Sequence, residues 1–501
     1  MRAFAVRDGR FVHAGSVEDA MALCGPSTEV VDARGLTVLP GLIDAHLHLT
    51  NLGLKLRQVN LDGVESPEAL VDRVGAFART SNDEWILGRG WDENCWPLQE
   101  FPSHHALSAA IPDRPVVLAR VDGHAILANA RALALAGVTA TTSDPPGGRI
   151  VRDARGEPTG ILIDNAEAFV YDRAPKPTHG QLVRAVRDAV AECNRWGITA
   201  VCEPGCGDEE LAAQKALLES GDFSLRNYAM LHDEPSLIER HARAGIVEGA
   251  YGGRLWVRAI KLYSDGALGS RGAALLAPYS DDPQNSGLIL TPRERIERVT
   301  ENALRTGFQT CVHAIGDRAN RMVLDAFESV LHRAGASQDP RLRIEHAQVI
   351  ASEDIPRFAA LGVIASVQTT HAVSDGPWVR ARLGPDRIAR AYPWRALLDA
   401  GTAIANGTDA PVEPANPARS FLAGIARNGA DPSECMTRRE AFASMTLGAA
   451  HAAFAENDIG SIEPGKYADF VLLDCDWMTA PPEEIERTKV VATYFGGKRV
   501  Y

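Results

Sequence analysis

Eight short, apolar, β-branched runs are spread along this chain, and segments of helical period lie between most of them. The runs are LPGLIDAHLH (39–48), GITAVCEPG (197–205), LRNYAML (225–231) and RAIKLYSDG (258–266), followed by FQTCVHAIGD (308–317), RLRIEHAQ (341–348), GVIASVQTTH (362–371) and TAIANGTDAP (402–411). Between them, HGQLVRAVRDAVAECNRWG and RERIERVTENALRTG place apolar residues at the 3.6-residue spacing of an amphipathic helix and stop at glycine. Strands that alternate with helices need parallel pairing, because the helix carries the chain back across the sheet. Eight such repeats predict an α/β fold of the (β/α)8 barrel type.

Two parts of the chain fall outside that repeat. Both ends are rich in short strand-like pieces: MRAFAVRDGRFVHAG and TEVVDARGLTVLPG at the start, GSIEPGKYADFVLLDCD and VVATYFGGKRVY at the end. Asp-Gly and Gly-Gly turns break them as hairpins require. The expectation is one small sheet domain built from both termini, residues 1–38 and 455–501. The second departure follows the first strand, where residues 57–178 are far too long for one helix and its loops. They are read as an inserted subdomain. Loops after barrel strands lie on the catalytic face, so the insertion is expected to cover the site. The barrel itself then spans 39–56 and 179–454.

Composition narrows the class. The chain has 501 residues, 45% hydrophobic and 23% charged, with a formal net charge of -13. That balance argues against a general nucleic-acid binder, which would carry a basic face. No apolar run approaches the ~18 residues of a membrane span. The amino terminus lacks the apolar core of a secretory signal. The expectation is a cytoplasmic protein acting on a small molecule. The eight cysteines are scattered, and Cys202 and Cys206, the nearest pair, complete no zinc-binding spacing. They are read as free thiols of a reducing compartment.

Chemistry concentrates at the strand ends. His46 and His48 are two residues apart. On a strand, but not on a helix, that spacing puts both imidazoles on one face. Lys261 lies in the fourth run, His313 in the fifth and His346 in the sixth, and Asp409 ends the eighth. His313 and His346 are 33 positions apart, about one barrel repeat. His346 and Asp409 are 63 apart, about two repeats, which leaves room for the seventh strand. All six groups are thus expected at the carboxyl-terminal mouth of the barrel. Imidazole and carboxylate suit zinc and similar divalent ions. Four histidines and one carboxylate exceed what one open catalytic zinc needs, and suit two ions with a bridging ligand. Lys261 could bridge only if carbamylated; Glu203, at the end of the second run, is the alternative bridging carboxylate.

Taken in order, PGLIDAHLH, KLYSDGALGSRGAAL, CVHAIGDRA, RIEHAQ, NGTDAP and GSIEPGKYADFVLLD resemble the amidohydrolase superfamily. Within it, the chain resembles the branch of metal-dependent amidohydrolases that includes N-substituted formamide deformylase. The resemblance covers nearly the whole chain. It implies a barrel with a small composite β-sandwich. It implies one metal, expected to be zinc, on His46, His48 and Asp409, a second on His313 and His346, and Lys261 as a carbamylated bridge. It also implies a homodimer. The implied activity is cleavage of an amide C–N bond by a metal-bound hydroxide, with Asp409 moving the proton to the leaving nitrogen. Esters, lactones and carbamates could be attacked at the same site, and a barrel without activity could serve as a binding protein. All six metal-site candidates are present, which speaks against the silent barrel.

Further residues carry two readings each. In VDGHAILANARAL, Asp122, His124 and Asn129 either face substrate or form a polar turn before a helix. In SDGALGSRGA, Asp265 and Arg271 either bind substrate or brace the site. Gln368 and His371 end the seventh run, where substrate contacts are common, and His371 is the preferred candidate. Asp317 is expected to orient its neighbours. His104 and His105 are read as a helix start. Trp91 and Trp96 either line a pocket or pack inside the insertion. His13, His179, His232, His241, His332 and His451 lie off the strand ends and are read as structural.

Overall fold

A computed structural model describes residues 2–335, 339–427 and 432–501. The eight barrel strands are Leu42–Asp44, Ile198–Cys206, Arg226–His232, Leu255–Tyr263, Gln309–Ala314, Arg343–His346, Ile364–Val367 and Ile404–Asn406. Each predicted run overlaps one of them, and the fourth strand begins three residues before its run. Neighbours pair in parallel from the first strand through to the eighth. The last seam is narrow: the Ala45 N–H donates to the Asn406 carbonyl at 3.2 Å, and the Asp409 N–H to the His46 carbonyl at 2.7 Å. Asp44 reinforces it, accepting from the Thr408 hydroxyl at 2.6 Å and from the His46 N–H at 3.1 Å. Gly407 is required here, because a Cβ at that position would sit 2.3 Å from the His46 nitrogen.

The period-two alternation explains the two sides of the barrel wall. Ile43, Ala45, Ala200, Cys202, Tyr228, Met230, Ala259 and Cys311 form an interior cluster. Their sequence neighbours Leu42, Val201, Ala229, Leu231, Ile260 and Val312 belong to the larger cluster that packs against the helices. Both expected helices are present. Thr178 caps His179–Arg195 through a capping box with Gln181. Arg293–Thr306 ends at Gly307 in the left-handed region, φ 80°.

Strands from the two chain ends meet. Thr37–Pro40 pairs antiparallel with Phe470–Leu473, which pairs with Val490–Phe495. The hairpin of Ala3–Arg7 and Arg10–Gly15 turns at Asp8 and Gly9, both at positive φ. It joins the same region through the Phe11 N–H to the Lys466 carbonyl, and Phe4 packs edge-on against Phe470.

Between the first and second barrel strands lies a separate six-stranded sheet, which includes Ile86–Trp91, Val116–Arg120, Ala125–Ala128 and Pro158–Asp164. Its alternation feeds two cores, with Val116 and Leu118 in one and Val117 and Ala119 in the other. Trp91 and Trp96 belong to the first and donate to the Leu118 and Val64 carbonyls. They pack the insertion and are not part of the wall of the cavity at the barrel mouth. Among the described residues, no helix is long and apolar enough to cross a membrane.

Candidate active site

One cavity opens at the carboxyl ends of the barrel strands. His48, Lys261, His313, His346 and Asp409 line it, with His124 and Asp122 from the inserted sheet. The tightest group is His46, His346 and Asp409, whose donor atoms all lie within 4.8 Å of one another. His48 Nε2 is 3.4 Å from Asp409 Oδ1, and the His313 ring lies edge-on to His346 with centroids 4.5 Å apart. Strands far apart in sequence thus place five of the predicted ligands together. The three closest join His346 to first- and eighth-strand residues that the resemblance assigns to the other ion. His346 and Asp409 adopt left-handed backbone, φ 74° and 58°. Non-glycine residues reach that region at a cost of about 1–3 kcal/mol each, a strain typical of functional sites.

The donor set fits a divalent cation. His46 Nε2 and Asp409 Oδ1 are buried and have no hydrogen-bond partner among the described residues, and the same holds for Lys261 Nζ, which would become an oxygen donor only once carbamylated. Nitrogen and oxygen donors of this kind, left unpaired away from water, are costly unless an ion satisfies them. Burial, then the nearby Lys261 charge, lowers the His46 pKa to about 4. Burial lowers Lys261 to about 8. Burial works against ionisation of Asp409, but the imidazoles of His46, His48 and His346 outweigh it and hold the carboxyl well below its usual range.

A buried charge chain orients the first ligand. His46 Nδ1 lies 2.6 Å from Glu345 Oε2, and Arg343 donates to both Glu345 oxygens at 2.7 and 3.0 Å. A carboxylate on Nδ1 leaves Nε2 for a metal. Glu345 went unnoticed in the sequence, although Arg343 and Glu345, two apart on a buried strand, signalled an internal ion pair. Glu345→Gln is expected to weaken metal affinity about 10–100-fold, measurable by chelator competition. Gln368 does the same for His346, with Oε1 2.6 Å from Nδ1. It is therefore a support for a ligand candidate and not a substrate contact. His371 does reach the cluster: its Nε2 is 3.8 Å from Asp409 Oδ2.

The other candidates divide. His124 lines the cavity, with Nδ1 2.7 Å from Asp164 Oδ1. Burial opposes its protonation, but that hydrogen bond and the charges of Asp164, Asp122 and Asp265 together outweigh burial and raise its pKa. Asn129 instead caps the helix Ala130–Ala136 and binds the Ile111 and Arg114 carbonyls. Asp265 is no substrate contact either. Its carboxylate accepts from the N–H groups of Ala274, Ile315 and Gly316, 3.4 Å from His313 Nε2, so it braces the His313 strand. Arg271 pairs with Asp281 at 3.0 Å and is not part of the cavity wall. Asp317 accepts from the Leu276 N–H, as an orienting group would.

Glu203 is excluded as the bridging carboxylate. It neighbours Cys202, which points inward, so its own side chain faces the helices. There it accepts from the Thr50 N–H and hydroxyl, Gln214 Nε2 and Asn227 Nδ2, all at 2.7–2.9 Å. Glu203→Ala strands four donors and is expected to cost about 3 kcal/mol or more. The check is a lower thermal midpoint with metal content unchanged.

A model of the Amidohydrolase family matches residues 29–501. The chain belongs to the amidohydrolase family. This amidohydrolase is 32% identical to YtcJ of Bacillus subtilis over 99% of its own length and 95% of that protein's. It is 28% identical to N-substituted formamide deformylase of Arthrobacter pascens, covering 99% of this chain and 94% of the relative. Among solved structures, a metal-dependent hydrolase from Pyrococcus horikoshii superposes with a TM-score of 0.78 at 29% identity, over 95% of this amidohydrolase and 94% of that chain.

Proposed function

We propose that this amidohydrolase is a metal-dependent hydrolase that cleaves the C–N bond of a small N-acyl or N-formyl amine. The observation that carries this reading is the meeting of His48, Lys261, His313, His346 and Asp409 in one cavity, with the buried, unpaired His46 Nε2 grouped with His346 and Asp409. The residues would hold two divalent ions, zinc by the chemistry of the donors, with Lys261 serving as a shared oxygen donor once carbamylated. When bound, such ions polarise a carbonyl and make water nucleophilic at neutral pH.

The chain's own groups supply the rest. Asp409 presents its two carboxylate oxygens to His46, His48 and His346 at the centre of the donor group, and it takes the proton of the attacking water on a carboxylate oxygen. It returns that proton to the leaving nitrogen, which without it departs poorly. His124, oriented by Asp164, and His371 flank the cavity and hold the amide in place. Asp122 and Val121 of the inserted sheet cover it and limit access of bulk water.

The test is amine release from a panel of N-formyl, N-acetyl and longer N-acyl amines, before and after chelation. Chelator-sensitive release is the expected result. No release from protein verified to hold metal would overturn amide hydrolysis.

A further inference from the structure

The cavity has a second half with a different chemistry. Its wall is formed by Asp92, Arg120 and Asp122 of the inserted sheet, and by Asp375, Trp378 and Glu413 from the loops after the seventh and eighth strands. Among the described residues of this wall, Arg120 is the one fixed cation, and it is fully engaged. Its Nε donates to Glu93 at 2.8 Å, and its two terminal nitrogens donate to Asp122 and Asp92. Behind the wall, Arg271 and Arg382 share Asp281. Six carboxylates (Asp92, Glu93, Asp122, Asp281, Asp375, Glu413) therefore face three guanidiniums (Arg120, Arg271, Arg382).

Two of those carboxylates make no ion pair with a lysine or arginine among the described residues. Asp375 takes both its described bonds on Oδ2, from Gln348 Nε2 at 2.9 Å and from the Tyr392 hydroxyl, both neutral donors. Burial raises its pKa to about 7, against the opposing influence of the His371 imidazole and the Tyr392 hydroxyl. Glu413 accepts from the Ser374 hydroxyl. On this side of the same cavity, His371 Nε2 and Trp378 Nε1 are buried and have no hydrogen-bond partner among the described residues, so this half too is left to be completed by a ligand.

We propose that this half of the cavity binds a positively charged group of the substrate, so that the preferred substrates are N-acyl amines bearing a second, protonated amino group. The inference rests on the hydrolase reading above and adds the substrate class. Asp375 and Glu413 receive the ammonium, Trp378 offers an apolar surface for the connecting methylenes, and a carboxylate in the same place is repelled.

The experiment compares three N-formyl compounds of equal chain length with the metal-loaded enzyme. One ends in an ammonium, one in a methyl and one in a carboxylate. The ammonium compound is expected to exceed the neutral one about tenfold in kcat/KM, since hydrogen bonds to charged groups are worth roughly that factor or more. The carboxylate compound is expected to be the poorest, and added salt to narrow the spread. Glu413→Gln is expected to reduce the ammonium-to-carboxylate ratio several-fold. Equal rates, or a preference for the carboxylate, overturn the proposal. If none of the three is hydrolysed, calorimetric Kd values decide. Preferential binding of the ammonium compound sustains the charged subsite while the hydrolase reading falls; absence of that order overturns the subsite itself.

Discussion

Asp409→Asn is expected to lower kcat about 10³-fold, within the 10²–10⁴ range that a positioned acid–base group contributes. The substitution keeps the shape of the side chain and removes its charge and proton capacity. Both carboxylate oxygens face imidazoles: Oδ1 is 3.6 Å from His46 Nε2 and 3.4 Å from His48 Nε2, and Oδ2 is 4.0 Å from His346 Nδ1. Asparagine also forfeits one anionic donor, so metal content is to be measured in the same samples. A protein that binds metal at wild-type stoichiometry and has lost turnover assigns the proton transfer to Asp409. Loss of metal as well assigns it a ligand role, and normal turnover would remove it from the mechanism.

His46→Ala is expected to abolish metal binding and activity together. His46 is fully buried, belongs to the tightest donor group and has its far nitrogen held by Glu345. Alanine therefore removes the donor and leaves a cavity that no neighbour fills. Glu345 keeps Arg343 as its partner, so the charge left behind is not stranded and the fold is expected to persist. Circular dichroism and metal analysis separate the outcomes. Full activity with intact metal would refute the assignment of the centre.

Much of this was legible along the chain. Eight β-branched runs with helices between them predict the barrel, because a strand that must return in parallel needs a crossover. His46, His48, Lys261, His313, His346 and Asp409 could be singled out as candidates that meet at one end of the barrel, because polar groups at strand carboxyl ends converge there. Glu203 shows the limit of that rule: it too lies in the carboxyl-terminal half of a barrel strand, but a single step in the alternation turns it outward into a network with Thr50, Gln214 and Asn227. Asp265 and Arg271 show another, since a polar residue beside a glycine-rich turn can serve substrate or backbone, and only the donors around it distinguish the two.

By itself, the sequence determined the strand–helix repeat, the family and a set of candidate metal donors, all of which depend on local periodicity and on residue type. Only the tertiary structure decided which groups meet. Glu345 reaches His46 across 299 positions, and Gln368 reaches His346 from the next strand. The inserted sheet brings Asp92, Arg120 and Asp122 to face Asp375 and Glu413. Such contacts depend on the closure of the barrel and on how loops far apart in sequence converge over its mouth, and neither leaves a periodic trace in the chain.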